Sequence, residues 1–170
     1  MGELSVVQPT SPLDGSSVAE AYRLAMRRLA ASVCIVTAAF DGKRLGIAAT
    51  AVCSLTLDPP AMIVCINRSA SVHPALHPGG NFGVNLLDRR HEDICAVFGS
   101  HQDAVDKFAF GHWVQSECGT PVLADSYAAI RCVVDSMLPY SSHSIVIGRV
   151  IGVQLSRNGN PLVYHDGKFR

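Results

Sequence analysis

Two short stretches combine side chains that could do chemistry. Asn67-Arg68-Ser69-Ala70-Ser71 offers a guanidinium, two hydroxyls and an amide just before a short helix, in whose first turn Pro74 is tolerated. Charged and hydroxyl donors at a helix start suit an anion such as a phosphate. The same residues also fit an ordinary capped helix, with Ser71 as the N-cap and Arg68 solvated. The second stretch is GIAATAVCSLTLDPP, residues 46–60, in which Ala48, Ala49, Thr50 and Ala51 are all small. Strands usually favour branched and aromatic residues. Small ones allow a planar ring to approach the backbone closely, with Thr50 and Ser54 placing hydroxyls beside it. They equally allow a helix to pack tightly.

The histidines and cysteines narrow the chemistry. His73 and His77 have the four-residue spacing of paired metal ligands on a helix, but Pro74 and Pro78 limit them to a short turn. The six cysteines are widely spaced and form no CxxC pair, so they are expected to be free thiols in a reducing compartment, with no structural metal. His143 follows the polar turn Tyr140-Ser141-Ser142 and precedes the apolar run SIVIGRV. That position, the end of an element, suits a functional residue, as it does a surface turn. GxSxG, P-loop and GxGxxG motifs are missing, so the usual hydrolase, nucleotide-hydrolysing and Rossmann patterns do not apply.

These residues must be positioned by the rest of the chain. Its 170 residues fit one domain, and the balance of 14 Lys plus Arg against 14 Asp plus Glu gives no global field for nucleic acid or an anionic membrane. Nothing near Met1 reads as a signal peptide and no apolar run reaches bilayer length, which predicts a cytoplasmic protein. Residues 1–15 read as a flexible N-terminal arm before a single domain over 16–170. Residues 16–31 carry Val18, Tyr22, Ala25, Met26 and Leu29 at helical spacing, capped by Ser16 or Ser17.

Strands are expected over 33–38, 46–54, 62–67 and 82–87, with Asp41-Gly42 a hairpin signal between the first two. Asp58-Pro59-Pro60 reads as a rigid corner outside the ladder. A helix is expected over 89–98, and the segment around Trp113 is ambiguous. A strand through Ile130, Cys132 and Val134, the run 144–155 and an Asn158-Gly159 hairpin into 161–164 complete the pattern. The result is mainly β: an antiparallel barrel with accessory helices.

Several pieces, in order, match one family. Residues 46–60 are similar to G-[FM]-T-A-S-S-F-T-S-[VL]-S-L-[DE]-P-P, and Phe82-Gly83-Val84-Asn85-Leu86-Leu87 to F-x-V-N-x-L. Lys107-Phe108 matches a basic-aromatic pair, and residues 119–125 match G-x-P-x-L-x-[DG]. Ser141-Ser142-His143 stands at G-D-H, and residues 161–169 resemble P-L-[LV]-[YF]-x-x-G-x-[YF]. Over residues 25–169 the chain thus resembles the short-chain flavin reductases, the reductase components of two-component flavin-dependent monooxygenases, built on a Greek-key FMN-binding split barrel.

The resemblance implies transfer of hydride from NADH or NADPH to FMN or FAD, with reduced flavin passing to a separate oxygenase, and a homodimer. It implies flavin contacts from Thr50, Ala51, Ser54, Asn67, Arg68, Ser69, Ser71, Phe82 and Asn85. It gives His143 a catalytic place beside the nicotinamide, whose pocket Tyr164, Lys168 and Phe169 would shape. Ala48, Ala51, Val52 and Cys53 depart from the ring-contact pattern, and Ser141-Ser142 replaces Gly-Asp. Alternatives on the same fold are an FMN-bound reductase of a cobalt-corrin intermediate of cobalamin synthesis and a non-enzymatic flavin- or haem-binding protein.

Overall fold

The structure is a computed structural model and describes residues 15–100 and 105–170. The expected loose arm therefore lies outside the described residues, apart from Gly15. Helix α1 (Gly15–Arg27) starts at that glycine, so Ser16 and Ser17 sit inside its first turn rather than capping it. Val18, Tyr22, Leu24 and Met26 on this helix are all exposed. Its end is tied down by Arg27, whose carbonyl accepts from the Asp166 N–H at 2.7 Å and whose guanidinium donates to the Asp166 carbonyl at 3.1 Å.

After β1 (Ala31–Ser32), Asp41 and Gly42 adopt φ values of 50° and 70°, as a two-residue hairpin turn requires. They fold β2 (Cys34–Phe40) onto β3 (Lys43–Ala49). A second hairpin joins β4 (Val52–Leu57) to β5 (Pro60–Asn67) through a cis Asp58–Pro59 bond. Here the structure corrects the sequence reading: Pro60 pairs with Leu57 and is the first ladder residue. A missing N–H is tolerated at a strand's first position. The chain continues through β6 (Asn81–Leu86), α2 (Glu92–Gly99), β7 (Trp113–Gln115), β8 (Pro121–Leu123), β9 (Ala128–Tyr140) and β10 (His143–Leu155).

Among the described residues, seven strands form one antiparallel sheet in the order β3-β2-β6-β9-β10-β5-β4. Its edge strands, β3 and β4, are separated in the chain only by Thr50 and Ala51. Three residue steps span at most about 11 Å, so the sheet must roll until its two edges come close, which makes a barrel. Residues 46–54 are accordingly not one strand, as expected, but two that pair with different neighbours. Thr50 and Ala51 are the crossover.

Period-2 patterning fills the barrel with Val36, Val64, Ile66, Phe82, Val84, Cys132 and Val146. A second layer lies outside it, where Ile94, Cys95 and Phe98 of α2 pack on Val33, Ile35 and Leu87 with Phe108 and Leu123. Gly46 permits this approach, because a Cβ there would lie 2.6 Å from Cε1 of Phe98. Burial pushes the thiols of Cys34 and Cys132 up to about 12 and, with Glu92 nearby, that of Cys95 to about 11. All six cysteines are unpaired.

The C-terminus differs from expectation. Strand β11 (Val163–His165) pairs with β1 and with β12 (Lys168–Phe169), not with β10. Asn158-Gly159 is thus a loop, and the hairpin turn is Asp166-Gly167, with φ values of 51° and 77°. No helix among the described residues is long and apolar enough to cross a membrane.

Candidate functional site

The end of β5 organises the site. The Asn67 Oδ1 accepts from both the backbone N–H and the hydroxyl of Ser69, each at 2.9 Å, which bends the chain into an Asx turn. The next residue laces this turn to another: the Arg68 N–H donates to the Ser142 carbonyl at 2.9 Å and its guanidinium to the Ser141 carbonyl at 3.4 Å. The β10 residue opposite Asn67 is His143, whose Nδ1 lies 2.9 Å from the Ser142 hydroxyl. On the other flank the Cys65 N–H donates to the Ala51 carbonyl at 2.9 Å. Thr50 and Ala51 therefore border the same end of β5, and both are exposed.

Beyond the turn lies a helical segment shorter than expected. It is a single 3-10 turn, His73–Ala75, with Pro74 in its first turn. Val72, not Ser71, is its cap, and no side-chain cap bond forms. So brief a segment has no useful macrodipole, and any hold on an anion must come from side chains and loop N–H groups.

Those side chains line a groove of about 160 Å³ bounded by Gly46, Asn67, Ser69, Ser71, Phe98, Gly99, Ser100 and Lys107. Lys107 donates to the Ser100 carbonyl at 2.7 Å, which holds its ammonium in the groove. The Ser69 and Ser100 hydroxyls are donated to the Asn67 Oδ1 and the Val97 carbonyl, at 2.9 and 2.8 Å, so the donors facing the hollow are the Lys107 ammonium and the Ser71 hydroxyl, which suit a phosphate monoester. The adjoining Thr50-Ala51 crossover leaves backbone accessible to a flat ring. Residues and ligand class fit.

The other expected site residues lie elsewhere. Ser54 borders a separate apolar cavity of about 350 Å³ with Leu57, Met62, Val150 and Val153. Phe82 is fully buried in the barrel, its ring against Gly148. Asn85 is fully buried too: it donates to the Ile35 carbonyl and the Thr37 hydroxyl and accepts from the Leu123 N–H. These two side chains hold the core together and do not line the groove. Tyr164 and Phe169 stack edge to face at 5.7 Å across β11 and β12. Phe169 packs on the α2 layer. His73 bonds the Ser144 hydroxyl at 3.0 Å, while His77 bonds the neighbouring Pro78 carbonyl.

Sequence reasoning passed over Gly99, Ser100 and Lys107 as site residues. The Lys107-Phe108 pair was the available signal, but nothing local says that α2 brings Ser100 opposite Asn67.

Comparison with known proteins decides the family. The profile of the flavin reductase like domain matches residues 26–170. The chain belongs to that family. It is 38% identical over 166 residues to the FMN reductase (NADH) RutF 2 of Rhizobium rhizogenes, covering 98% of this chain and 95% of the relative. Among solved structures, the NADH:FAD oxidoreductase SgcE6 of Streptomyces globisporus superposes with a TM-score of 0.83 at 26% identity, over 95% of this chain and 96% of that one. BorF, the flavin reductase component of a bacterial two-component tryptophan halogenase, gives 0.82 at 26% identity, over 89% and 96%. The fold of this flavin reductase-like chain is therefore the mainly β split barrel of these reductases.

Proposed function

We propose that this flavin reductase-like chain is an NADH-dependent FMN reductase that supplies reduced flavin to a separate monooxygenase. The observation that carries this reading is the place of Asn67: it lines the hollow that holds Ser71 and Lys107, lies opposite His143 in the ladder, and ends the strand whose Cys65 bonds the Thr50-Ala51 crossover. Bound flavin supplies a two-electron acceptor for the hydride of a nicotinamide. The protein's own share is positional. Lys107 and Ser71 hold the phosphate end. Thr50 and Ala51 border the ring, beside the turn that Asn67 holds. His143, fixed by Ser142, stands where a second ring can be oriented over the first.

A second copy of the chain completes the assembly. Steady-state oxidation of NADH with added FMN tests the function: turnover is expected only with flavin present, and no flavin-dependent turnover with NADH refutes it.

A further inference from the structure

We propose that the flavin groove continues past Lys107 into an adenylate subsite built by Arg44, Lys43 and Trp113, so that this protein binds FAD more tightly than FMN. The proposal rests on the phosphate cradle described above and extends it. A second hollow of about 170 Å³ shares Gly46, Ser71 and Lys107 with the first and adds Arg44. A third, of about 410 Å³, shares Arg44 and adds Lys43, Trp113 and Gln115. The strand rise of ~3.3 Å per residue places Lys43 about 10 Å from Gly46 along β3. That is the scale of a pyrophosphate and a ribose.

The chemistry along this path changes in the order a dinucleotide would need. Lys107 stands at the first phosphate position, Arg44 at the second, and an indole follows. The Arg44 guanidinium lies 4.8 Å from the Phe108 ring centroid and 3.5 Å from the Asp106 carboxylate, which holds its fork at the junction of the two hollows. Asp106 offsets only one of the three cations, and Lys43 has no ion-pair partner among the described residues. Two positive charges thus stay uncompensated, as a pyrophosphate requires. Trp113 is fixed by its Nε1, which donates to the Phe110 carbonyl at 2.7 Å, and by Phe98 and Phe108 at ring distances of 5.2 and 5.1 Å. A rigid aromatic edge next to the exposed Gln115 amide offers a purine both a surface and a hydrogen bond.

The test is equilibrium titration of the full chain with FMN and FAD, followed by flavin fluorescence, with ADP as competitor. FAD should bind more tightly than FMN, and ADP should displace FAD. In Arg44→Gln the FAD Kd should rise about tenfold, the loss of one charge-assisted hydrogen bond. The FMN Kd should stay within about twofold, since FMN ends at Lys107. Lys43→Glu, a change at an exposed position, should act in the same direction without threatening the fold. Equal effects on both flavins, no effect on either, or an effect confined to the KM for NADH would overturn the proposal; the last would give the subsite to the nicotinamide dinucleotide. Loss of NADH-driven FMN turnover in the unaltered protein would instead sink the reductase reading, and that is a separate measurement.

Discussion

At the scale of single residues, the proposed site divides into side chains that hold loops and side chains with donors left for a ligand. Asn67 spends its carbonyl oxygen on Ser69, and Arg68 spends donors on the 141–142 turn, so both shape the site rather than reach out of it. Lys107 is different, because its ammonium has three donors and only one is used on Ser100. Lys107→Gln should weaken FMN binding by about tenfold or more, the cost of a charge-assisted hydrogen bond. Riboflavin, which lacks the phosphate, should bind the variant as well as it binds the parent protein. Equal losses for both flavins would place Lys107 away from the phosphate. His143 faces the same surface from β10, and His143→Ala should raise the KM for NADH while changing the flavin Kd little. An unchanged KM removes it from the reaction.

At the scale of elements, α2 decides the shape of the groove, because its C-terminal end carries Phe98, Gly99 and Ser100. Its N-terminal end is anchored by Asp88, whose carboxylate accepts from the N–H groups of Arg90 at 3.1 Å and Asn160 at 2.9 Å. His91 Nδ1 accepts in return from the Asp88 N–H at 3.2 Å. The Arg90 N–H above all, with that of Asn160 and the charge of Arg90 adding to it, outweighs burial and holds the Asp88 carboxyl below its ordinary value. A depressed folded pKa contributes stability above the unfolded value of about 3.9, and that contribution is lost as pH falls through the folded value. The denaturation midpoint of the parent protein should therefore fall more steeply than that of Asp88→Asn below about pH 4. Parallel acid limbs would show that this anchor carries no charge-dependent stability.

The same elements show what was legible in the sequence. Asp41-Gly42, the alternation in 130–135 and the helix from Arg89 onward each follow from a local rule and each formed there, the second as part of the longer β9. What escaped depends on distant partners. Thr50-Ala51 breaks a run that reads as continuous strand because β3 and β4 bond to opposite ends of a rolled sheet. Asn158-Gly159 and Asp166-Gly167 carry the same turn signal. Only the second has strands that pair across it, since β1 captures β11. Phe82 and Asn85 sit on a strand buried on both faces, where barrel and outer layer meet, and family resemblance alone could not separate core from lining. Ser100 joins Lys107 only once α2 is docked on Gly46.

At the scale of the whole molecule, one copy leaves too much apolar surface uncovered. Leu57, Leu138, Tyr140 and Leu155 are 86, 62, 76 and 74% exposed. Scattered apolar side chains are ordinary on a monomer, but contiguous patches mark interfaces. Leu57 and the exposed Val153 border the same apolar cavity as Cys34, Pro60, Met62 and Val150, so part of this exposed set meets at one concave place. Helix α1 adds a further exposed apolar set in Val18, Tyr22 and Met26. A second copy of the chain is the occupant this argues for. The full-length protein at micromolar concentration should sediment at twice the chain mass. Val153→Glu would bury a carboxylate in that interface at a cost of several kcal/mol, raising the dimer dissociation constant by about a hundredfold or more and shifting the boundary toward the single chain. A parent protein that sediments as a single chain would leave this cavity open to solvent and remove the dimer.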